Sequence, residues 1–191
     1  PQLVRDLVSS GHRIFLDLKY HDIPTTVAAA VRAASELGVW MVTVHASGGY
    51  DMLVAAKEAA ARVEGGPKIV AVTVLTSFDD RNLHSLGVSR SVRQQVESLA
   101  QLSKSAGIDG VVASPLEIEL IRKVCGDEFI VVTPGIRNPT IDKLNDQKRT
   151  MDATSAIQAG ANYLVVGRPI TAAVDPFTAA LDITQQISKH G

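Results

Sequence analysis

From one end of the chain to the other, a short β-branched run is followed by a stretch whose apolar residues recur every three or four positions. Strand patterns fall at residues 13–18, 40–45, 69–75, 110–113, 129–133 and 163–167. Helical patterns fill the intervals at 26–37, 50–63, 91–105, 115–124, 152–159 and 176–188. Regular β/α alternation leaves little choice: the strands must be parallel, joined by right-handed helical crossovers. Two architectures satisfy this, an open doubly wound sheet and a closed eight-stranded barrel. No G-x-G-x-x-G follows any strand, so the open dinucleotide-binding sheet lacks its usual fingerprint. Polar residues stand just after nearly every strand instead: Asp22, His45, Ser77, Ser114, Arg137 and Arg168. In a barrel these positions converge on the rim where active sites are built. The expectation is therefore an α/β fold, a (β/α)8 TIM barrel with six of its eight strands in this chain, forming one incomplete domain over residues 1–191.

Residues 1–10 read as a helix with a stripe of Leu3, Val4, Leu7 and Val8, stopped by Gly11. The chain starts at Pro1, in the middle of the repeating theme. A first strand, a first helix and a second strand, roughly 50 residues at barrel dimensions, are expected to precede it. Without them the strands at 13–18 and 163–167 would have unpaired edges. The segment alone is accordingly expected to be poorly soluble and inactive.

Composition narrows the class of function. With 46% apolar residues and a formal net charge of −1 spread along the chain, nothing marks a nucleic-acid or membrane surface. Cys125 is the only cysteine, so no internal disulfide or thiolate cluster can form, and a reducing cytoplasm is the natural setting. Cys125 itself is expected in the core.

The run Asp17-Leu18-Lys19-Tyr20-His21-Asp22-Ile23-Pro24 places three ionisable groups at the end of a strand that otherwise reads as buried. Period-two alternation sends Asp17 and Lys19 to one face, and Asp22 follows where the strand gives way to a helix opened by Pro24. Two acids thus bracket a lysine. The triplet fits either a structural ion pair with a helix-start acid or a catalytic cluster. Because desolvating an ion pair costs several kcal/mol per ion, stability alone explains it poorly.

Later in the chain, Val132-Thr133-Pro134-Gly135-Ile136-Arg137 and Val165-Val166-Gly167-Arg168-Pro169 close the last two strands. Counted from the expected start these are strands seven and eight, whose loops commonly form a barrel's phosphate site. Gly135 and Gly167 would admit a close backbone approach, and Arg168 offers a planar fork for an anion. The polar stretch between Arg137 and Asp152 is long for a compact barrel, and it reads as a lid from which Gln147 could reach a phosphate.

Taken together, Asp17-Leu18-Lys19-Tyr20-His21-Asp22-Ile23-Pro24-Thr25-Thr26, Leu75-Thr76-Ser77, Pro134-Gly135-Ile136-Arg137, Asp146-Gln147-Lys148-Arg149 and Gly167-Arg168-Pro169-Ile170 closely resemble the bacterial orotidine 5′-phosphate decarboxylase family. The D-x-K-x-x-D element is shared with sugar-phosphate decarboxylases and synthases of the same suprafamily. The His21-Asp22-Ile23-Pro24 continuation with Thr26, and the late Gln147, are more specific. The resemblance implies decarboxylation of orotidylate to uridylate in pyrimidine biosynthesis, without metal or organic cofactor, in a cytoplasmic homodimer with sites at the subunit interface. It implies that Asp17 crowds the substrate carboxylate and that Lys19 stabilises and protonates the ring carbanion. Asp22 and Thr26 would reach in from the neighbouring subunit. Thr76 and Ser77 would meet the pyrimidine, Gln147 and Arg168 the phosphate, with Pro134, Arg137 and Gly167 beside that grip. It also places ahead of Pro1 an aspartate on the family's first strand and a lysine on its second, the substrate ribose contact and one member of the alternating Lys-Asp-Lys-Asp array. The open alternatives are a related sugar-phosphate enzyme and a non-catalytic, nucleotide-binding barrel remnant.

Overall fold

The computed structural model describes residues 1–137 and 149–188, so Gln147 and the rest of the 138–148 stretch read as a lid lie outside the described residues. In chain order the elements are α1 (Gln2–Ser9), β1 (Phe15–Tyr20), α2 (Pro24–Ser35), β2 (Met41–His45), α3 (Tyr50–Ala61), β3 (Lys68–Val72), α4 (Asp80–Ser85) and α5 (Val92–Ser105). They continue with β4 (Gly110–Val112), α6 (Ile118–Cys125), β5 (Ile130–Thr133), α7 (Ala153–Gln158), β6 (Tyr163–Leu164), α8 (Arg168–Thr171) and α9 (Pro176–Ser188). The strands lie in one sheet in sequence order, β1-β2-β3-β4-β5-β6. The β1–β2, β2–β3 and β5–β6 pairs are parallel. An order that never reverses has no topological switch point, which excludes the doubly wound sheet and leaves the barrel topology.

The chain forms two compact units, Pro1–Thr73 with Ser98–Val111, and Val74–Glu97 with Val112–Gly191. In the first, Pro24 occupies the first turn of α2, where its missing N–H costs nothing and its fixed φ suits the helix. That helix buries Val27, Val31 and Ala34 at helical spacing, and α3 buries Met52, Leu53, Ala56, Ala59 and Ala60. Small alanines let the two helices pack closely together. Each fully buried Val or Leu contributes about 1.5–3 kcal/mol relative to exposure. Strand β2 is the most enclosed, with Met41, Val42, Thr43 and Val44 all at 1% exposure or less. Helix α1 has no fully buried residue: Val4 and Val8 of its apolar stripe are half-buried, Val8 close to Gly38, while Leu3 is 72% exposed. It ends as the sequence suggests, with Gly11 at φ 85°, a conformation that carries no steric penalty for glycine.

In the second unit, α6 buries Ile118, Leu120, Ile121 and Cys125, the last in the core as expected. The Arg122 guanidinium donates to the carbonyls of Gly160, Gly126, Asp127 and Phe129, fastening the turn before β6 to the turn after α6. Two short helices escape the periodicity argument. Helix α4 is held by a reciprocal capping box between Asp79 and Asn82, a signal present in the sequence. Helix α8, with four residues, is too short to show a period. Strand β3 ends at Val72 and β6 at Leu164, earlier than alternation suggests, and loops carrying candidate site residues follow them.

Candidate active site

Strand β1 does not run regularly to its end. Phe15 and Leu16 pair with Met41 and Val42, whereas the next paired residue, Tyr20, stands opposite Val44. Asp17, Leu18 and Lys19 therefore lie opposite the single residue Thr43, an irregularity that bulges the strand and re-aims its side chains. Lys19 sits at φ 52°, the only non-glycine residue with positive φ among the described residues. Such a conformation costs of order 1–3 kcal/mol and persists only where surroundings hold it. Asp17 and Lys19 do share a face, as expected, but through this bulge rather than through plain alternation. Lys19 Nζ donates to Asp17 Oδ2 at 2.6 Å.

The pair is more open than a buried strand implies: its side chains are 39% and 40% exposed, and Leu18 between them is 55% exposed. At this exposure desolvation of the pair is small, and the strained Lys19 backbone is the feature that stability does not explain. Asp22 is exposed on the following loop, where its Oδ1 accepts the Ile23 N–H at 2.7 Å. It stands one residue ahead of Ile23, the N-cap of α2, without capping the helix through its side chain, and no bond between it and Lys19 accompanies this one. Thr26 is exposed on the first turn of α2.

Thr43 belongs to no motif in the sequence. It is fully buried, its hydroxyl donates to Asp17 Oδ1 at 3.0 Å, and it accepts the Lys19 N–H at 2.8 Å. The available signal was a hydroxyl in the middle of the most buried strand, where a polar group must find partners. Next to it, the rings of His45 and His21 lie 5.3 Å apart. Burial holds the His45 imidazole below its usual pKa, and the positive charge at His21 and Lys19 pushes the same way while Asp17 opposes.

In the second unit, Thr76 and Ser77 form the centre of a turn closed by Phe78 N–H on the Leu75 carbonyl at 2.9 Å. Arg149, at the edge of the described residues, donates to the Leu75 and Val74 carbonyls at 2.8 and 3.2 Å and pairs with Glu117. Burial pushes the Glu117 carboxyl up, with Arg149 opposing. Ser114, one of the post-strand polar residues, donates to the Arg149 carbonyl at 3.2 Å. The Glu117–Arg149 pair thus pins the Thr76–Ser77 turn, a role that sequence reading missed because its partners are far apart in the chain.

Pro134 and Arg137 are half-buried after β5, and Gly135 between them adopts φ 81°. Arg137 N–H donates to the Met151 carbonyl at 3.0 Å, which holds the backbone of that loop. Gly167 precedes α8, and a Cβ added there would meet nothing within 4 Å, so the space beside it is open. Arg168 opens α8 and is half-buried.

A parallel β/α sheet with a carboxylate–ammonium pair on a bulge at the carboxyl end of a strand has the architecture of a barrel enzyme, whose chemistry sits at those ends. The chain belongs to the Orotidine 5′-phosphate decarboxylase / HUMPS family, whose sequence model matches residues 1–183. It is 50% identical over 191 residues to the orotidine 5′-phosphate decarboxylase of Geobacter sp. (strain M21), covering 98% of this chain and 79% of that protein. To the enzyme of the same name from Dichelobacter nodosus it is 54% identical over 177 residues, covering 93% of this chain and 77% of the relative. The crystal structure of orotidine 5′-phosphate decarboxylase from Lactobacillus acidophilus superposes with a TM-score of 0.84 at 39% identity, covering 97% of this chain and 80% of that one.

Proposed function

We propose that this chain is the decarboxylase of pyrimidine biosynthesis that converts orotidine 5′-monophosphate to uridine 5′-monophosphate. The observation that carries it is the Asp17–Lys19 pair on the strained end of β1, in a chain about half identical to curated enzymes of that name. The reading takes the whole chain as one catalytic domain, acting in the cytoplasm as a homodimer.

In this mechanism the ring-to-carboxylate carbon–carbon bond breaks, carbon dioxide leaves, and the electron pair stays on the ring carbon. Lys19 stabilises that charge as it develops and then transfers a proton from Nζ to the carbon. Lys19 Nζ is held against Asp17 before reaction, and a positioned ammonium stabilises negative charge as it develops on the ring carbon. Asp17 stands beside the substrate carboxylate, where mutual repulsion is relieved as carbon dioxide departs. Asp22 and Thr26, exposed here, contact the substrate of the neighbouring subunit. Thr76 and Ser77 meet the pyrimidine. Gln147 and Arg168 hold the phosphate, with Pro134, Arg137 and Gly167 lining the loops beside it. Binding energy from this remote group is spent on the reacting ring.

Turnover of orotidylate by the full-length gene product, followed by loss of substrate absorbance, tests the reading, and absence of turnover would end it. Arg168→Ala tests the phosphate assignment. It should lower kcat/KM for orotidylate by roughly 100-fold or more, as expected for a lost charge-assisted contact. The unphosphorylated nucleoside should be nearly insensitive. Equal losses with both substrates would remove Arg168 from the phosphate site.

A further inference from the structure

We propose that Thr43 is a positioning residue for decarboxylation: through one buried hydroxyl it sets the direction of the Asp17 carboxylate and holds the bulged backbone of Lys19. The proposal rests on the assignment of Asp17 and Lys19 above.

The bulge creates a specific problem. With three residues of β1 opposite one of β2, the Lys19 N–H has no carbonyl in the regular ladder to receive it. The Thr43 hydroxyl accepts that N–H at 2.8 Å, taking the place of a ladder carbonyl. Its own proton is then committed outward, and it goes to Asp17 Oδ1 at 3.0 Å. Asp17 Oδ2 is left for Lys19 Nζ at 2.6 Å. The three groups therefore close a ring: Lys19 backbone to Thr43, Thr43 to Asp17, and Asp17 to the Lys19 side chain. Each link fixes a different freedom, namely the φ 52° backbone of Lys19, the rotation of the Asp17 carboxylate and the reach of the ammonium. Thr43 is fully buried, so solvent does not compete for its hydroxyl, whereas the pair it orients is about 40% exposed and would otherwise sample other arrangements. The β-branched side chain has few rotamers, which makes it a stiff support.

The test compares Thr43→Val, Thr43→Ala and Thr43→Ser with the unmodified full-length enzyme and with Lys19→Ala. Val keeps the shape and loses the hydroxyl, whereas Ser keeps the hydroxyl and loses the methyl. The expected result is a kcat lower by roughly 10- to 100-fold in the Val and Ala variants, the scale of a small misplacement of reacting groups. KM should stay within about threefold, and Thr43→Ser should restore most of kcat. A folded Val or Ala variant with kcat within about twofold of the unmodified enzyme would overturn the proposal, as would a Ser variant no better than Val. If both hydroxyl-free variants fail to fold while Ser folds, the hydroxyl serves the fold and not the site, and the proposal likewise falls. Undiminished turnover in Lys19→Ala would instead overturn the site assignment itself. Loss in Lys19→Ala with an unaffected Thr43→Val would sink this proposal alone.

Discussion

Two lysine–aspartate pairs in the first unit have the same shortest distance, 2.6 Å, and opposite characters. Lys57 Nζ reaches both oxygens of Asp109, at 2.6 and 2.7 Å, while Asp109 Oδ2 also accepts the Ile69 N–H at 2.8 Å. That pair stands at the amino ends of β3 and β4, on regular backbone, and fastens α3 to both strands. The Asp17–Lys19 pair stands at the carboxyl end of β1, on a bulge with a left-handed lysine; both its members come from one strand, and it meets β2 only through Thr43. Distance and chemical type therefore say little about what an ion pair does. The backbone beneath it and the end of the strand it occupies say more, because a β/α barrel keeps its chemistry at the carboxyl ends and its bracing at the amino ends.

The sharpest way to break this contrast is to remove each ammonium in turn. Lys19→Ala should lower kcat by roughly 10³-fold or more, the range of a lost proton donor and electrostatic stabiliser. Its folding stability should change by less than about 1 kcal/mol, since the pair is substantially exposed. Near-normal turnover would end the catalytic reading, and a large stability loss would make the pair a brace after all.

Lys57→Ala should show the reverse. Its side chain is 34% exposed and that of Asp109 21%, between the surface and buried cases, so urea unfolding should report a loss of about 1–2 kcal/mol. Turnover per folded molecule should stay within about twofold, because the pair lies away from the carboxyl ends. A kinetic defect without a stability loss would dissolve the distinction.

The smallest expected effect lies in His45. Its imidazole is held down first by burial, then by like charge at His21 and Lys19, with Asp17 opposing. Removing the Lys19 ammonium takes away a positive neighbour and leaves the carboxylate, so the His45 titration followed by NMR should move upward in Lys19→Ala. In Lys57→Ala it should not move. A shift in the second variant would mean that the two pairs are electrostatically linked.

Much of this was legible along the chain. Alternating β-branched runs and helical spacing announce a parallel β/α fold because each element must bury one face, and burial imposes its own period. Pro24 and Gly11 mark helix ends for steric reasons that hold in any context. The charged end of β1 was visible too, since an acid and a lysine stand out after an apolar run. Strand ends were less legible: β3 stops at Val72 although the apolar run continues to Leu75, because pairing is decided by the neighbouring strand.

By itself the sequence determined the fold class, the family and the residue types at the candidate site, all of which follow from local pattern and covalent order. Only the tertiary structure decided that Asp17 and Lys19 meet through a bulge, that Thr43 closes the ring between them, and that Arg149 with Glu117 pins the Thr76–Ser77 turn. The reason is physical. A hydrogen bond joining residues 24 or 26 positions apart, or an arginine reaching carbonyls 74 and 75 positions away, leaves no period in the chain and exists only once the strands have paired.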